Sequence, residues 1–441
     1  MKKILIKNGN LVFEDRIKKQ DILIKNNKII SIKDSIPVKD QYHIIDADNK
    51  YILPGGIDVH THMALEVWKN MVSSDDYLTG SQAAVNGGIT TYFGFAYQKK
   101  NESLLDAYYR EQNKINNKSV CDYKLHIGIT DLSENYDKEI KQCINRGLTT
   151  FKIHLNDPAV DTVFLYKIFK SIAKYNGIAV LHCEDGKLVE YLKQEYVRKN
   201  KKSILYHPAT RKNYIEKIAI DTVIDIATEL NTKIYIVHVS TSEGVNAIAR
   251  AKEKGKIWIE AETCPQYLIF TENKYREKNG YLYSCSPSFK SKYDRDALWN
   301  ALKKGILKVV SSDHCPFTVK QKNYGKNDFT KLPYGIPGIE TTYHILLSEG
   351  MKRGFKINEI VKLISTNPAK IFGLYPQKGT IRKNGSADIV IYNKKKNFKI
   401  SHRNMMTQCD YSPYENMNIK GKIETVIVQG KIAVENEKFI L

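Results

Sequence analysis

Hydrophobic and polar positions alternate in short runs along the first part of the chain: Ile4-Leu5-Ile6, Asn10-Leu11-Val12-Phe13, Asp21-Ile22-Leu23-Ile24, Lys28-Ile29-Ile30-Ser31-Ile32 and His43-Ile44-Ile45-Asp46. Polar turns such as Lys25-Asn26-Asn27 separate them. Period-two runs punctuated by turns predict a small antiparallel sheet. The same texture returns late, at Ala387-Asp388-Ile389-Val390-Ile391-Tyr392 and from Glu424 to Val434. Two half-sheets flanking a long middle predict one discontinuous β-sandwich domain, residues 1–52 with 380–441.

Across that middle, residues 53–379, short apolar runs alternate with stretches of helical period, the pattern of a parallel α/β fold. Strand candidates fall at 53–60, 89–95, 124–130, 149–155, 178–183, 233–240, 256–263 and 307–313. Apolar residues recur at i, i+3 and i+4 from Asp161 to Tyr175 and from Ile215 to Leu230, as helices between strands require. Eight parallel strands with intervening helices predict a (β/α)8 TIM-like barrel beside the smaller β domain.

Composition adds bounds. In 441 residues, 42% hydrophobic and 27% charged, there is enough apolar material for one large core and a smaller one. No run approaches the roughly 18 apolar residues of a membrane span. Met1 to Lys7 alternates too soon to be a signal peptide and reads as a first strand. The net charge of +21 raises nucleic-acid binding as a possibility. The lysines, however, are scattered, no basic stripe is interleaved with aromatics, and Lys394-Lys395-Lys396 falls in a predicted turn. Neither nucleic acid nor membrane is an expected partner. Seven cysteines (121, 143, 183, 264, 285, 315 and 409), with no Cys-x-x-Cys, predict reduced thiols in a cytoplasmic protein.

The candidate chemistry sits at strand ends. His60 and His62 close the Gly-led first strand, and i, i+2 spacing turns both imidazoles to one side. Lys152 lies late in the fourth strand, His182 and His238 end the fifth and sixth, and Asp313 ends the eighth. A barrel gathers those ends on one rim, where active sites lie. Singly, each histidine reads as a hydrogen-bonded structural residue, Asp313 as a helix cap and Lys152 as a snorkelling or paired lysine. Together they are a ligand set for transition metals. A neutral Lys152 amine would react with CO2 to give a carbamate, an anionic ligand with two oxygens.

These residues carry a resemblance. The chain resembles the dihydropyrimidinase and hydantoinase family of cyclic amidohydrolases, within the amidohydrolase superfamily. The matching segments are Pro54-Gly55-Gly56-Ile57-Asp58-Val59-His60-Thr61-His62, Ser74-Asp75-Asp76-Tyr77-Leu78-Thr79-Gly80, His182-Cys183-Glu184 and His238-Val239-Ser240. Further on come Glu262-Thr263-Cys264-Pro265-Gln266-Tyr267-Leu268, Ser312-Asp313-His314-Cys315-Pro316-Phe317, Thr366-Asn367-Pro368-Ala369-Lys370-Ile371-Phe372-Gly373-Leu374 and Tyr411-Ser412-Pro413-Tyr414-Glu415. The resemblance implies two divalent metals, most often zinc, with manganese, cobalt or iron also compatible with the ligand types. His60, His62 and Asp313 would serve one, His182 and His238 the other, with Lys152 bridging as N6-carboxylysine. It implies ring opening of a dihydropyrimidine or 5-substituted hydantoin to an N-carbamoyl amino acid, with Asp313 as the catalytic proton carrier. It also implies a homo-oligomer, tetramer or dimer.

Some positions depart from the family pattern. The family usually has a tyrosine five residues after the modified lysine, which helps stabilise the oxyanion; here Asp157 stands there, and its charge is expected to repel one. By alternation His154 and Asn156 share the face of Lys152 and become candidate donors. The family's Ser-Pro-Pro-Leu-Arg is Ser286-Pro287-Ser288-Phe289-Lys290, and its Pro-Asn-Gly is Pro333-Tyr334-Gly335; Ser286 and Tyr334 are the candidate ring contacts. Leu65, Val67, Trp68 and Met71 occupy the loop where hydantoinases line a pocket for the exocyclic substituent. Dihydroorotase usually has Arg where this chain has Ala64, which counts against it. Allantoinase, which also lacks the tyrosine, is the alternative activity. A non-enzymatic relative of the collapsin response mediator kind would lack the ligands that this chain retains.

Overall fold

Eight parallel strands form the barrel sheet of the computed structural model, which describes residues 3–68 and 70–441. Met1 and Lys2 of the predicted first strand lie outside the described residues. The strands follow one another in chain order: Gly56–Asp58, Ile89–Tyr97, Asp122–Gly128, Thr150–His154, Ile178–His182, Lys233–Ile236, Ile259–Thr263 and Val309–Val310. The barrel closes through the segments that follow its first and last strands. Thr61 bridges His314 in parallel, the His62 amide donates to the His314 carbonyl at 2.7 Å, and the Asp58 carboxylate accepts from the Ser312 amide at 3.1 and 3.2 Å.

Helices cover the outside. Thr162–Lys174 is capped by Asp161, whose carboxylate accepts from the Phe164 amide at 2.8 Å, and buries Phe164, Leu165, Ile168, Phe169 and Ile172 on one stripe. Asn213–Leu230 ends at Asn231 in the left-handed conformation. Inside the barrel, Ile57, Phe93, Val180, Tyr235 and Val309 pack with the segment Ala369–Leu374. The Phe372 ring stands 5.3 Å from Phe93 and 4.9 Å from Tyr235, so an apolar plug fills the interior beneath the rim.

Strands from both termini share a second sheet, of nine strands. Lys3–Val12, Ile17–Lys25, Lys28–Lys33 and Tyr42–Asp46 come from the start of the chain, and Ile389–Asn393, Lys422–Val428, Lys431–Glu435 and Lys438–Phe439 from its later part. Tyr51–Pro54 joins the two groups, parallel to the first strand and antiparallel to Ile389–Asn393. The separate runs 4–6 and 10–13 merge into one strand whose register shifts between Ile6 and Gly9, with Asn8 at φ +62°. Among the described residues, no helix is long and apolar enough to cross a membrane.

The predicted strand 53–60 is divided. Leu53 and Pro54 belong to the terminal sheet and Gly56–Asp58 to the barrel. The join is Gly55, where a Cβ would stand 2.1 Å from the Thr90 hydroxyl oxygen. Gly55→Val is therefore expected to lower the unfolding free energy by about 1–3 kcal/mol through overpacking, read as an earlier midpoint in urea.

Candidate active site

The rim brings five of the candidate ligands into two groups. His60 Nε2 faces His62 Nε2 at 3.2 Å, and Asp313 Oδ1 lies 3.3 and 3.2 Å from those two atoms. These three residues form a group able to hold a metal ion. Beside it, His182 Nδ1 faces His238 Nε2 at 2.8 Å, and the His60 and His238 rings are 5.3 Å apart. Burial, and then the nearby Lys152 amine and other imidazoles, hold His60 and His238 well below the usual histidine range.

Carboxylates behind the imidazoles decide which nitrogen faces inward. His60 Nδ1 meets Glu262 Oε1 at 2.6 Å, and His182 Nε2 meets Glu184 Oε2 at 3.0 Å. With a carboxylate as acceptor the proton sits on the outer nitrogen, and the inner one presents a lone pair. Glu262 also accepts from the Tyr235 hydroxyl at 2.8 Å, while Glu184 also accepts from Ser286 Oγ at 3.1 Å and from the Arg211 guanidinium.

His238 and Asp313 adopt positive φ, +39° and +51°, a conformation that non-glycine residues rarely take and that costs about 1–3 kcal/mol each. Their neighbours hold it. The His238 amide donates to Glu262 at 3.4 Å. On either side of Asp313, the Ser312 amide is gripped by Asp58, and His314 by Asp75 at 2.9 Å and the Gly338 amide at 3.1 Å.

Lys152 lies among these groups on the fourth strand, fully buried. Its Nζ has no hydrogen-bond partner among the described residues and stands 5.2 Å from the centre of the Phe95 ring. Burial pushes the amine down, against the pull of Asp313 and Glu262. Lone-pair nitrogens and a carboxylate, with no thiolate among them, suit a borderline or hard divalent metal.

A cavity of about 450 Å³ opens above the two groups. His154, Asn156, Ser286 and Tyr334, all singled out from sequence, line it, as do Leu65, Val67 and Trp68. Met71 instead packs with Cys315 and Phe317. The repulsion expected from Asp157 does not arise. That side chain is exposed, turned away from the cavity, and its carboxylate accepts from the Ala159 amide at 2.9 Å. Pro158 follows it in a turn, so the alternation that places His154 stops before residue 157.

The sequence reading passed over Tyr97, Arg211 and Lys193, which also line the cavity. Ending the second strand at residue 95 hid Tyr97, although Phe93, Phe95 and Tyr97 keep a period of two. Lys322 was missed as well, for it shows only as one lysine in a basic stretch. Its buried Nζ donates to the Ser284 carbonyl at 2.9 Å, Ser284 Oγ at 2.8 Å and the Pro333 carbonyl at 2.7 Å. It thus ties together the two cavity-wall segments that carry Ser286 and Tyr334.

A parallel barrel with this rim defines a class of hydrolase, and the chain belongs to it: the amidohydrolase family matches residues 51–433. Within that family the chain is 35% identical to the D-hydantoinase of Ralstonia pickettii, over 99% of this chain and 96% of that protein. It is 32% identical to a D-phenylhydantoinase of Escherichia coli, over 97% and 94%. The crystal structure of dihydropyrimidinase from Brevibacillus agri superposes with a TM-score of 0.96 at 35% identity, covering 99% of this chain and 96% of that one. An L-hydantoinase from Arthrobacter aurescens gives 0.91 at 27% identity, covering 100% and 98%.

Lys322→Met, which strands three buried acceptors, is expected to lower the unfolding free energy by about 1–3 kcal/mol. Urea denaturation followed by circular dichroism measures it.

Proposed function

We propose that this protein hydrolyses a cyclic amide, opening a dihydropyrimidine or 5-substituted hydantoin ring to an N-carbamoyl amino acid with the help of two divalent metals, zinc foremost and manganese, cobalt or iron as alternatives. The observation that carries this reading is the buried, unpartnered Lys152 amine among four imidazoles whose inner nitrogens converge. His60, His62 and Asp313 would hold one metal and His182 and His238 the other, bridged by Lys152 as N6-carboxylysine. A carbamate there replaces an unpaired buried amine with an anion that the metals neutralise. Bound metals supply a water made nucleophilic near neutral pH and a polarised carbonyl.

The chain's own residues supply the rest. Asp313 turns Oδ1 to His60 and His62; its carboxylate would take the water's proton and pass it to the leaving ring nitrogen. His154, Asn156 and Ser286, with the ring face and backbone of Tyr334, form the wall that would meet the ring, and Leu65, Val67 and Trp68 the apolar wall for its substituent. The relatives named for hydantoins, one of them for phenylhydantoin, support an apolar or aromatic substituent. Seven buried free thiols support a cytoplasmic setting. A homotetramer or dimer, read by sedimentation equilibrium, completes the proposal.

A panel of dihydrouracil, substituted hydantoins, allantoin and dihydroorotate, assayed with zinc or manganese, tests the reaction. Dihydrouracil or a hydantoin with an apolar 5-substituent is expected to open fastest. Fastest turnover of allantoin would establish the allantoinase alternative, and no turnover with no bound metal would establish a non-enzymatic relative. Asp313→Ala is expected to abolish ring opening of the best substrate; full retained activity would remove its assigned role. Reconstitution with 13C-bicarbonate is expected to give a carbamate carbon signal by NMR that Lys152→Ala lacks.

A further inference from the structure

Four hydroxyl groups line the cavity, those of Tyr97, Ser286, Thr330 and Tyr334. Three of them already direct their proton elsewhere. Ser286 donates to Glu184 at 3.1 Å, Thr330 to Asp328 at 2.6 Å, and Tyr334 to the Phe329 carbonyl at 2.8 Å. The Tyr97 hydroxyl meets His154 Nε2 at 2.9 Å. An imidazole nitrogen accepts in one tautomer and donates in the other. With the proton on Nε2, His154 donates to the phenol oxygen, and the phenol proton is left to point at whatever fills the cavity.

The position of this phenol is built into the fold. Tyr97 ends the second barrel strand, and its ring lies parallel to that of His62, at 3° and 6.4 Å. It rests on Gly128, where a Cβ would stand 2.3 Å from the ring. The His154 ring is 5.4 Å from that of His182. The hydroxyl therefore hangs between His62 of one imidazole pair and the approach to His182 of the other.

We propose that Tyr97 is the oxyanion donor of this enzyme: its O–H hydrogen-bonds the scissile carbonyl oxygen as that oxygen gains negative charge, and His154 is the positioning residue that directs it. This deepens the cyclic-amide reading above and rests on it. The O–H bond stays intact throughout, so no proton changes hands at Tyr97. A donor fixed in advance in a water-poor site costs no reorganisation when the charge develops. Asp157 faces away from the cavity, so the second strand provides from one wall what the loop after Lys152 does not provide from the other.

Tyr97→Phe is the test, run on metal-loaded enzyme with whichever dihydrouracil or hydantoin the wild type opens fastest. It is expected to lower kcat about 10²-fold with KM changed less than about threefold and metal content unchanged. A kcat within about threefold of wild type would overturn the proposal. His154→Leu should fall as Tyr97→Phe does, His154→Gln, which keeps an N–H donor, should recover most of the loss, and the Tyr97→Phe/His154→Leu double variant should be no slower than Tyr97→Phe. Additive losses would overturn the role of His154.

A second readout does not depend on turnover. In 15N NMR of histidine-labelled wild-type protein, a proton on His154 Nε2 supports the proposal, and a proton on Nδ1 with Nε2 accepting from Tyr97 overturns it. An active wild type with a fully active Tyr97→Phe removes the Tyr97 role alone. A wild type that opens no cyclic amide removes the reaction itself and the carbonyl role with it.

Discussion

A carboxylate placed where water does not reach it organises the rim. Glu262 is fully buried on the seventh strand, and such a group costs several kcal/mol unless its oxygens are met by donors. It finds them on His60, Tyr235 and the His238 backbone. Two of these contacts act on the site. The first turns the His60 lone pair inward, and the third holds His238 in a conformation that its own side chain disfavours. Glu184 repeats the arrangement on His182 and adds Ser286 and Arg211 from the cavity wall. The rings of His60 and His182 thus owe their aim to acids one layer further out.

The barrel was legible because strands buried on both faces read as mostly apolar runs, as Phe93 to Tyr97 and Ile178 to Leu181 do. The candidate ligands were legible because a barrel forces strand ends together, so position alone placed His60, His182, His238 and Asp313 on one rim. Periodicity reports which face a side chain takes, and says nothing of where the chain turns. That is why the break at Gly55 was missed and why Asp157 was assigned a charge effect on a cavity it does not face. Glu262 appeared in the sequence as one letter of a matching segment. Its partner His60 is about two hundred residues away, and no local pattern encodes a contact of that span. Lys322 escaped notice for the same reason, since its three acceptors come from two distant loops.

Arg211 and Tyr334 show how far the cavity wall differs in kind from the ligand groups. The Tyr334 ring stacks on His207 at 4.6 Å and lies under the Arg211 guanidinium at 5.4 Å, while its hydroxyl is bound to the backbone. The side chain is thereby a fixed surface, with its polar end withdrawn from the cavity. Shape and ring-face contact, together with the backbone groups of Tyr334 and Gly335, are what that wall would offer the ring of the proposed substrate.

The strand Tyr51–Pro54 has a consequence for the order of events in the cell. It hydrogen-bonds to Lys3–Val12 on one side and to Ile389–Asn393 on the other, and one residue later the chain becomes the barrel strand that leads to His60. A ribosome releases Tyr51–Pro54 long before it releases Ile389–Asn393. The segment bearing the His-x-His pair therefore waits, anchored on one side, until nearly the whole polypeptide has been made. Assembly of the proposed metal site would thus follow synthesis, through the wiring of a sheet that contributes none of its candidate ligands.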